Sequence, residues 1–334
     1  MTDLGTLDSY SYGNGLNDGG QVVGNSLVHG IPGAVGQYTE RAFLYTSGVG
    51  MVDLGTLGGA TGDASGINNS GQIVGAATLA GDQRFAASHA FLYTGIPGNG
   101  GHMADLGTLG GANSGASAIN ASGQIVGYSN IAGSTAEHAY LYTGTPGSGG
   151  HMTDLGTLGS TNSEADAISP NGLIAGSSDM PGGSRRAFLY TGVPGSGGHM
   201  SDLGSLDGMS WGYGVNSSGQ VVGASILADG STEHAFIYVG TPGAGGHMID
   251  LNAWLKANNP AVNWTLTIAY GINDNGQVTG WGIDNDPPNP SRERAFLLDA
   301  SSLLVPEPAS FVLLGIGAAL TVGIGCYRAS RSRR

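Results

Sequence analysis

The sequence predicts an all-β fold, a six-bladed β-propeller made of four-stranded repeats of about 50 residues. The first observation is a phrase, Asp-Leu-Gly (Asp-Leu-Asn in the last copy), that begins at Asp3, Asp53, Asp105, Asp154, Asp202 and Asp250. A period of this length indicates one supersecondary unit copied in tandem. The second is composition: 63 of 334 residues are Gly and only 10% are charged, which favours short strands joined by tight turns.

Each repeat contains four β-rich runs, which the third copy shows in order. The first run, 116–120, is followed by an Asn-x-x-Gly turn and by the second run, 124–129. The third run, 138–143, leads through a Pro-Gly-x-Gly-Gly segment to the fourth, 151–158. Asn and Gly accept the positive φ values of tight hairpin turns. Four strands per unit and six units fit a propeller of six blades.

The two ends of the repeat array predict how the ring closes. The sixth copy ends at Phe296-Leu297-Leu298 with no Asp-Leu-Gly strand after it, whereas Met1 to Leu7 form a spare one. Insertion of this segment beside Phe296 would complete the last blade and remove two exposed edges. The alternative is an open β-solenoid, which would need polar caps.

These patterns divide the chain into three parts. The propeller covers 1–299, a linker covers 300–305, and a C-terminal segment covers 306–334. Inside the propeller, the predicted blade repeats lie near 3–52, 53–104, 105–153, 154–201, 202–249 and 250–299. The last repeat has an insertion in which Asn252 is predicted to cap a short helix that Pro260 ends, with Trp254 and Trp264 covering a terminal apolar face.

Charge and cysteine content exclude several classes of function. The last seven residues hold 4 of the 11 basic side chains, so residues 1–307 have 7 basic against 24 acidic side chains, a balance of −17. Such a surface repels phosphate backbones, and no nucleic-acid partner is expected. The only cysteine is Cys326, which excludes a disulfide framework and a zinc cluster of cysteines.

The C-terminal segment predicts a targeting sequence and a membrane anchor. Pro306-Glu307-Pro308 precedes an uncharged run, 311–327, and then the basic residues Arg328, Arg331, Arg333 and Arg334. As a helix, 17 residues rise about 25 Å, close to the thickness of a hydrocarbon core. The arginines would stop the helix on the cytoplasmic side by the positive-inside rule.

This order of three parts, a Pro-Glu-Pro motif, an apolar run and a basic cluster, resembles the PEP-CTERM sorting signal of exopolysaccharide-producing Gram-negative bacteria. The resemblance covers about the last 29 residues. It implies that an exosortase-type enzyme recognises Pro306, Glu307 and Pro308 at the inner membrane, and that the protein reaches the cell envelope or the extracellular matrix. Proteins of this kind begin with a secretory signal peptide, whereas this chain opens directly in a repeat. An export leader upstream of Met1 is therefore expected.

The repeats resemble the HAF family of extracellular repeats. The matching strings are His-Ala-Phe at His89 and His234, Asp-Leu-Gly-Thr-Leu-Gly-Gly, Ile-Asn-x-x-Gly-Gln-Ile-Val-Gly and Ala-Phe-Leu-Tyr, and they cover about 1–299. This resemblance implies no particular chemistry.

The residues that look catalytic are mostly repeat positions. His89, His138 and His234 precede the Ala-aromatic strand, and Arg41, Arg186 and Arg294 take the same place in other copies. Because Arg cannot ligate a metal, this position calls for a hydrogen-bond donor, with the recurring Asp as a candidate acceptor. The six Asp residues are expected to accept backbone N–H groups of the following turn. A ring of carboxylates that binds calcium is the alternative reading.

No catalytic site and no cofactor are predicted. Gly208-Met209-Ser210-Trp211-Gly212 matches a nucleophile elbow in letters, but a loop surrounds it where the elbow needs a strand and a helix. The predicted function is a non-catalytic structural or binding module at the cell surface, with polysaccharide as a candidate partner. The alternative is a propeller-class glycan hydrolase or lyase, for which the acids outside repeat positions are Asp82, Glu164, Asp166, Asp179, Asp284 and Asp286.

Overall fold

The computed structural model describes residues 2–29, 38–81, 87–285 and 292–303. Within them the chain is an all-β, six-bladed β-propeller in which each blade is one antiparallel sheet of strands in sequence order. The sorting motif Pro306–Pro308, the apolar run 311–327 and the four arginines lie outside the described residues. In the part of the chain that is described, no helix is long and apolar enough to cross a membrane.

The first three blades are four-stranded. The first has β1 (Ser11–Leu16), β2 (Val22–His29), β3 (Tyr38–Thr46) and β4 (Gly50–Asp53). The second has β5 (Gly58–Ile67), β6 (Ile73–Leu79), β7 (Ser88–Ile96) and β8 (Asn99–Asp105). The third has β9 (Gly110–Ile119), β10 (Ile125–Ile131), β11 (Glu137–Thr145) and β12 (Ser148–Gly156).

The fourth and fifth blades follow the same plan, and in the part of the chain that is described the sixth has one strand fewer. The fourth has β13 (Ser163–Ile168), β14 (Ile174–Asp179), β15 (Arg185–Val193) and β16 (Ser196–Asp202). The fifth has β17 (Ser210–Val215), β18 (Val221–Ile226), β19 (Glu233–Thr241) and β20 (Ala244–Asp250). The sixth has β21 (Trp264–Ile272), β22 (Gln277–Asp284) and β23 (Arg292–Asp299), followed by a 3₁₀ turn (Ser301–Leu303).

The core lies between consecutive blades. Five apolar clusters each take side chains from two neighbouring sheets. At the junction of the first two blades, Val23, Ala42 and Leu44 of one sheet meet Ile67 and Phe91 of the next. Burial on both faces explains why these strands carry apolar residues at nearly every position of their middle segments.

The first strand of each blade lies nearest the centre of the array. First strands of consecutive blades pack against each other from β1 and β5 through to β17 and β21, whereas fourth strands approach each other only marginally. The hairpin turns are closed by Gly at positive φ, for example Gly123 at 77° after Asn120, as the sequence predicts.

The predicted closure by the N-terminal strand is wrong for this structure. The sixth sheet contains three strands among the described residues, and its elements share no substantial packing with those of the first sheet. Residues 5–7 are bonded instead to their own blade, where the Leu7 N–H donates to Ser26 Oγ at 3.0 Å and the carbonyl of Gly5 accepts from Ser11 Oγ at 2.8 Å. Among the described residues, no strand pairing joins this segment to β23.

The insertion forms helix α1 (Leu251–Asn258), whose N-cap differs from the prediction. Asp250, not Asn252, caps the helix by accepting the N–H of Asn252. The side chain of Asn252 bonds instead to both backbone groups of Leu266. The helix ends before Pro260, as predicted. Trp254 and Trp264 pack on the cluster between the fifth and sixth blades.

Candidate functional site on the inner strands

The repeated Asp residues shape the turn between one blade and the next. The carboxylate of each accepts the backbone N–H two residues later, at 2.7 to 2.9 Å, in all six copies: Asp3, Asp53, Asp105, Asp154, Asp202 and Asp250. This is the Asx geometry by which a short acidic side chain stabilises a turn.

Most of these carboxylates also hold the cationic repeat position. His89, His138 and His234 contact Asp105, Asp154 and Asp250 through Nδ1 at 2.9 Å, and Arg41 contacts Asp53 at 3.1 Å. The other two copies differ, since Arg186 donates to the carbonyl of Gly208 and Arg294 pairs with Asp284. Across the described ranges, no cluster of three or more His, Cys, Asp or Glu side chains is arranged to hold a metal ion.

Ser210 of the elbow-like string is also a repeat position. Its hydroxyl donates to the carbonyl of Gly204 at 2.6 Å and accepts the N–H of Ala187 at 2.9 Å. Ser114 and Ser163 make the same two bonds in their blades. Ser210 is fully buried, so this hydroxyl joins two blades through backbone groups.

The Asn of the Asn-x-x-Gly turn connects the blades in a way that sequence reasoning missed. Asn120 accepts the N–H of Gln124 within its own turn, and its Nδ2 donates both to Gln124 Oε1 and to the carbonyl of Ser169 in the next blade. Asn17, Asn68 and Asn216 make the equivalent bonds. We call this repeated bond the asparagine clasp. The recurrence of Asn in the repeats was the available signal. Its role in the turn was predicted, but its bond to the next blade was not.

A β-bulge in the first strand of every blade leaves one residue without a partner in the register. In the fourth blade, Ala165 and Ala167 pair with consecutive residues of β14, which leaves Asp166 between them without a partner in the register. A bulge of this kind re-aims one side chain. The bulge row consists of Asn14, Ser65, Ser117, Asp166, Tyr213 and Tyr270.

The bulge row varies in chemistry although its surroundings repeat. The second strand opposite each bulge has a Gly whose added Cβ would meet a backbone oxygen of the first strand at about 2 Å, as Gly127 would meet that of Gly115. These glycines are Gly24, Gly75, Gly127, Gly176, Gly223 and Gly280. The scaffold is thus fixed, while the bulge row, exposed at Asn14 and Tyr270 and half-buried at the other four positions, carries amide, hydroxyl, carboxylate or phenol groups.

The fourth blade places two carboxylates side by side on the inner strand. Glu164 and Asp166 flank Ala165, and burial raises the pKa of both, with Glu164 raising that of Asp166 further. Arg185 opposes the effect from β15, with its guanidinium 3.8 Å from Glu164 and 3.2 Å from Asp179. Three of the six predicted acids therefore meet in one blade, which their spacing in the sequence did not indicate.

Aromatic rings continue this surface into the fifth and sixth blades. The rings of Tyr213 and Tyr270 lie 5.6 Å apart with a tilt of 43°, and Trp211 lies two residues before Tyr213 on the same strand. Burial raises the pKa of Tyr213, and the carboxylate of Asp166 adds to the effect. Carboxylates and aromatic rings are therefore neighbours on one inner surface.

The second blade contributes one more acid, which the sequence analysis did not single out. Asp63 lies two residues before the bulge residue Ser65 and accepts a hydrogen bond from Asn14 Nδ2 at 3.0 Å. Burial, with a contribution from Glu40, raises the pKa of Asp63 from 3.8 to about 6. Of the other predicted acids, Asp284 pairs with Arg294, and Asp82 and Asp286 lie outside the described residues.

A search against protein-family models finds no match to this chain, and no curated protein matches it at a significant level.

Proposed function

We propose that this chain is an exported, surface- or matrix-associated binding module without catalytic activity, and that polysaccharide is its ligand class. The observation that carries the proposal is the bulge row: a structurally repeated position whose side chain changes from blade to blade. Variable groups on a rigid scaffold are the usual form of a binding surface.

The part of this surface that suits a glycan spans the fourth to sixth blades. Trp211, Tyr213 and Tyr270 offer aromatic faces, and Tyr270 is 52% exposed. Glu164 and Asp166 supply hydrogen-bond acceptors beside them. Apolar and aromatic walls with a few placed polar groups are typical of small-ligand sites. A net charge of −13 favours neutral sugars over anionic ones.

The delivery route belongs to the same proposal and is supported by the sequence of 306–334. In it, an exosortase-type enzyme recognises Pro306, Glu307 and Pro308, residues 311–327 anchor the chain in the inner membrane, and Arg328 to Arg334 stay on the cytoplasmic side. The repeats 1–299 then belong to the envelope or extracellular space, as HAF-type extracellular repeats do.

One observation favours the alternative of a glycan hydrolase or lyase. Glu164 and Asp166 are paired acids with raised pKa values, a property that general acids share. In this alternative one carboxyl donates a proton to the leaving oxygen while the other acts in its ionised form.

A glycan-array screen with the full-length chain, followed by a turnover assay on each glycan that binds, tests both functions. Binding without turnover is expected, and Tyr270→Ala is expected to weaken it by roughly two- to tenfold, since one aromatic contact contributes about 0.5 to 1.5 kcal/mol. Tyr10→Ala, an equally exposed ring outside this surface, is the matched control. Turnover lost in Glu164→Gln or Asp166→Asn would establish the enzyme instead.

A further inference from the structure

The sixth blade exposes a face that every other blade buries. The leucine of the third strand, or its Ile equivalent, is 0 to 8% exposed in five blades: Leu44, Leu92, Leu141, Leu189 and Ile237. Leu297 holds the same place in β23 and is 68% exposed. Ala295 is also exposed, whereas its five equivalents are fully buried. This face is the one on which the next blade packs.

The first blade exposes the complementary face. Leu16 is 67% exposed, whereas Ile67 and Val215 at the same repeat position are 8% exposed. Ile67 packs on Val23, Ala42 and Leu44 of the preceding sheet. The exposed faces at the two ends are thus the two halves of the junction that occurs five times inside the chain.

Among the described residues the sixth sheet has no fourth strand, and the N-terminal segment already has the shape to supply one. Gly5 N–H donates to Asp3 Oδ1 at 2.9 Å, and Ser11 Oγ donates to the carbonyl of Gly5 at 2.8 Å. Inside the chain, Asp105, Gly107 and Ser114 make the same bonds while the strand before them pairs with the preceding blade. The segment 2–4 therefore projects from the first blade towards the place of a preceding one.

The register of the internal blades specifies the missing pairing. Phe43, Phe91 and Phe236 each pair with the Asp of the fourth strand, so Asp3 would lie opposite Phe296 and within reach of Arg294, as Asp53 is of Arg41. A groove of about 370 Å³ runs along this edge, lined by Leu255, Trp264, Leu266 and 295–298. An unpaired edge beside an apolar groove is a template for an added strand.

We propose that the two ends join successive copies of this chain head to tail, with residues 2–4 of one copy pairing with β23 of the copy before it. A second copy is the occupant because, among the described residues, the first and sixth sheets share no substantial packing within one chain, although their faces match. When two different faces of the same chain bind each other, the copies form an open assembly unless the repeated contact closes into a ring. The Nδ2 group of Asn273, which bonds to Gln277, would then also donate to the backbone carbonyl of Asn17 in the next copy. This bond would extend the asparagine clasp across the interface. This inference does not depend on the proposed ligand.

The test blocks each end separately in the full-length chain, kept in a mild detergent so that 311–327 stays soluble. Leu297→Asp blocks one end and Leu16→Asp the other, and both residues are exposed, so the fold should be unaffected. Light scattering after size exclusion should give the wild type a mass that rises with concentration and each variant the mass of a monomer. An equimolar mixture of the two variants should give a dimer and nothing larger, because only one pair of ends remains free.

Val193→Asp, which changes a 64% exposed side chain at the end of β15, is the control and should assemble like the wild type. A wild type that stays monomeric at every concentration would overturn the proposal. Association that persists equally in both end variants would also overturn it, because it would come from another part of the chain. A Thr2→Cys, Leu297→Cys, Cys326→Ser variant that forms its disulfide within one chain would establish ring closure instead.

Discussion

The side chain of Asp63 shows how the packing of two blades controls one ionisation. It is partly buried on the inner strand β5, near Glu40 and bonded to Asn14. Its pKa is raised to about 6, so the folded chain holds a proton that the unfolded chain releases between about pH 4 and pH 6. The contribution of Asp63 to the free energy of unfolding therefore falls as the pH rises through this window.

Asp63→Asn is expected to stabilise the protein at pH 7.5 and to have almost no effect at pH 4. The gain at neutral pH should be roughly 1 to 3 kcal/mol, because one pKa unit corresponds to about 1.4 kcal/mol. Urea unfolding at the two pH values measures it. Asp207→Asn makes the same change of charge at an exposed site. Equal effects of both variants at pH 7.5 would show that net charge, and not burial, is responsible.

At the scale of one element, the bulge of each first strand depends on a glycine in the second strand. The Asn-x-x-Gly-Gln-Ile-Val-Gly string ends on this residue, which the sequence marks as invariant in all six copies without giving a reason. In the third blade the reason is the approach of the carbonyl of Gly115 to Gly127. A methyl group there would have to separate two paired strands.

Gly127→Ala should therefore cost at least about 3 kcal/mol of stability or prevent folding, as overpacking against backbone does. Gly66→Ala is the control, because the added Cβ would lie 3.4 Å from Val74 Cγ2 on β6 and 3.5 Å from the neighbouring inner strand β9, which are ordinary contacts. Thermal unfolding of both variants measures the two losses of stability. A Gly127→Ala variant as stable as Gly66→Ala would mean that the strands can separate freely at the bulge.

Across the whole molecule, the blades form a series in which each contacts its sequence neighbours. Stability then depends on the junctions as much as on the blades. The asparagine clasp is a polar part of four of the five junctions, and the apolar clusters form the core of all five. The chain offers an internal comparison, since Asn120 makes the clasp and is 5% exposed, whereas Asn273 keeps the turn bonds alone and is exposed.

Asn120→Ala should reduce the free energy of unfolding by about 2 to 4 kcal/mol, since it removes the turn bonds and the bond between blades, so that the carbonyl of Ser169 keeps only the N–H of Gly172 as its donor. Asn273→Ala should cost at least about 1 kcal/mol less. Chemical denaturation at low protein concentration measures both losses. If the two losses are the same, the bond between blades adds nothing to the stability of the array.

The sequence by itself determined the period, the number of blades, the four runs in each repeat and the Asp and Asn turns, because these follow from local strand propensity and from residues that accept particular turn geometries. The acids of the fourth blade were visible as candidates, but their meeting with Arg185 was not. Trp211, Tyr213, Tyr270 and Asp63 were missed, because a bulge position exists only once the register of two strands is known. Only the tertiary structure decided that residues 2–7 stay on the first blade and leave the sixth with a free edge. That outcome depends on the rotation between successive blades, summed over all six. No local pattern of residues specifies this sum.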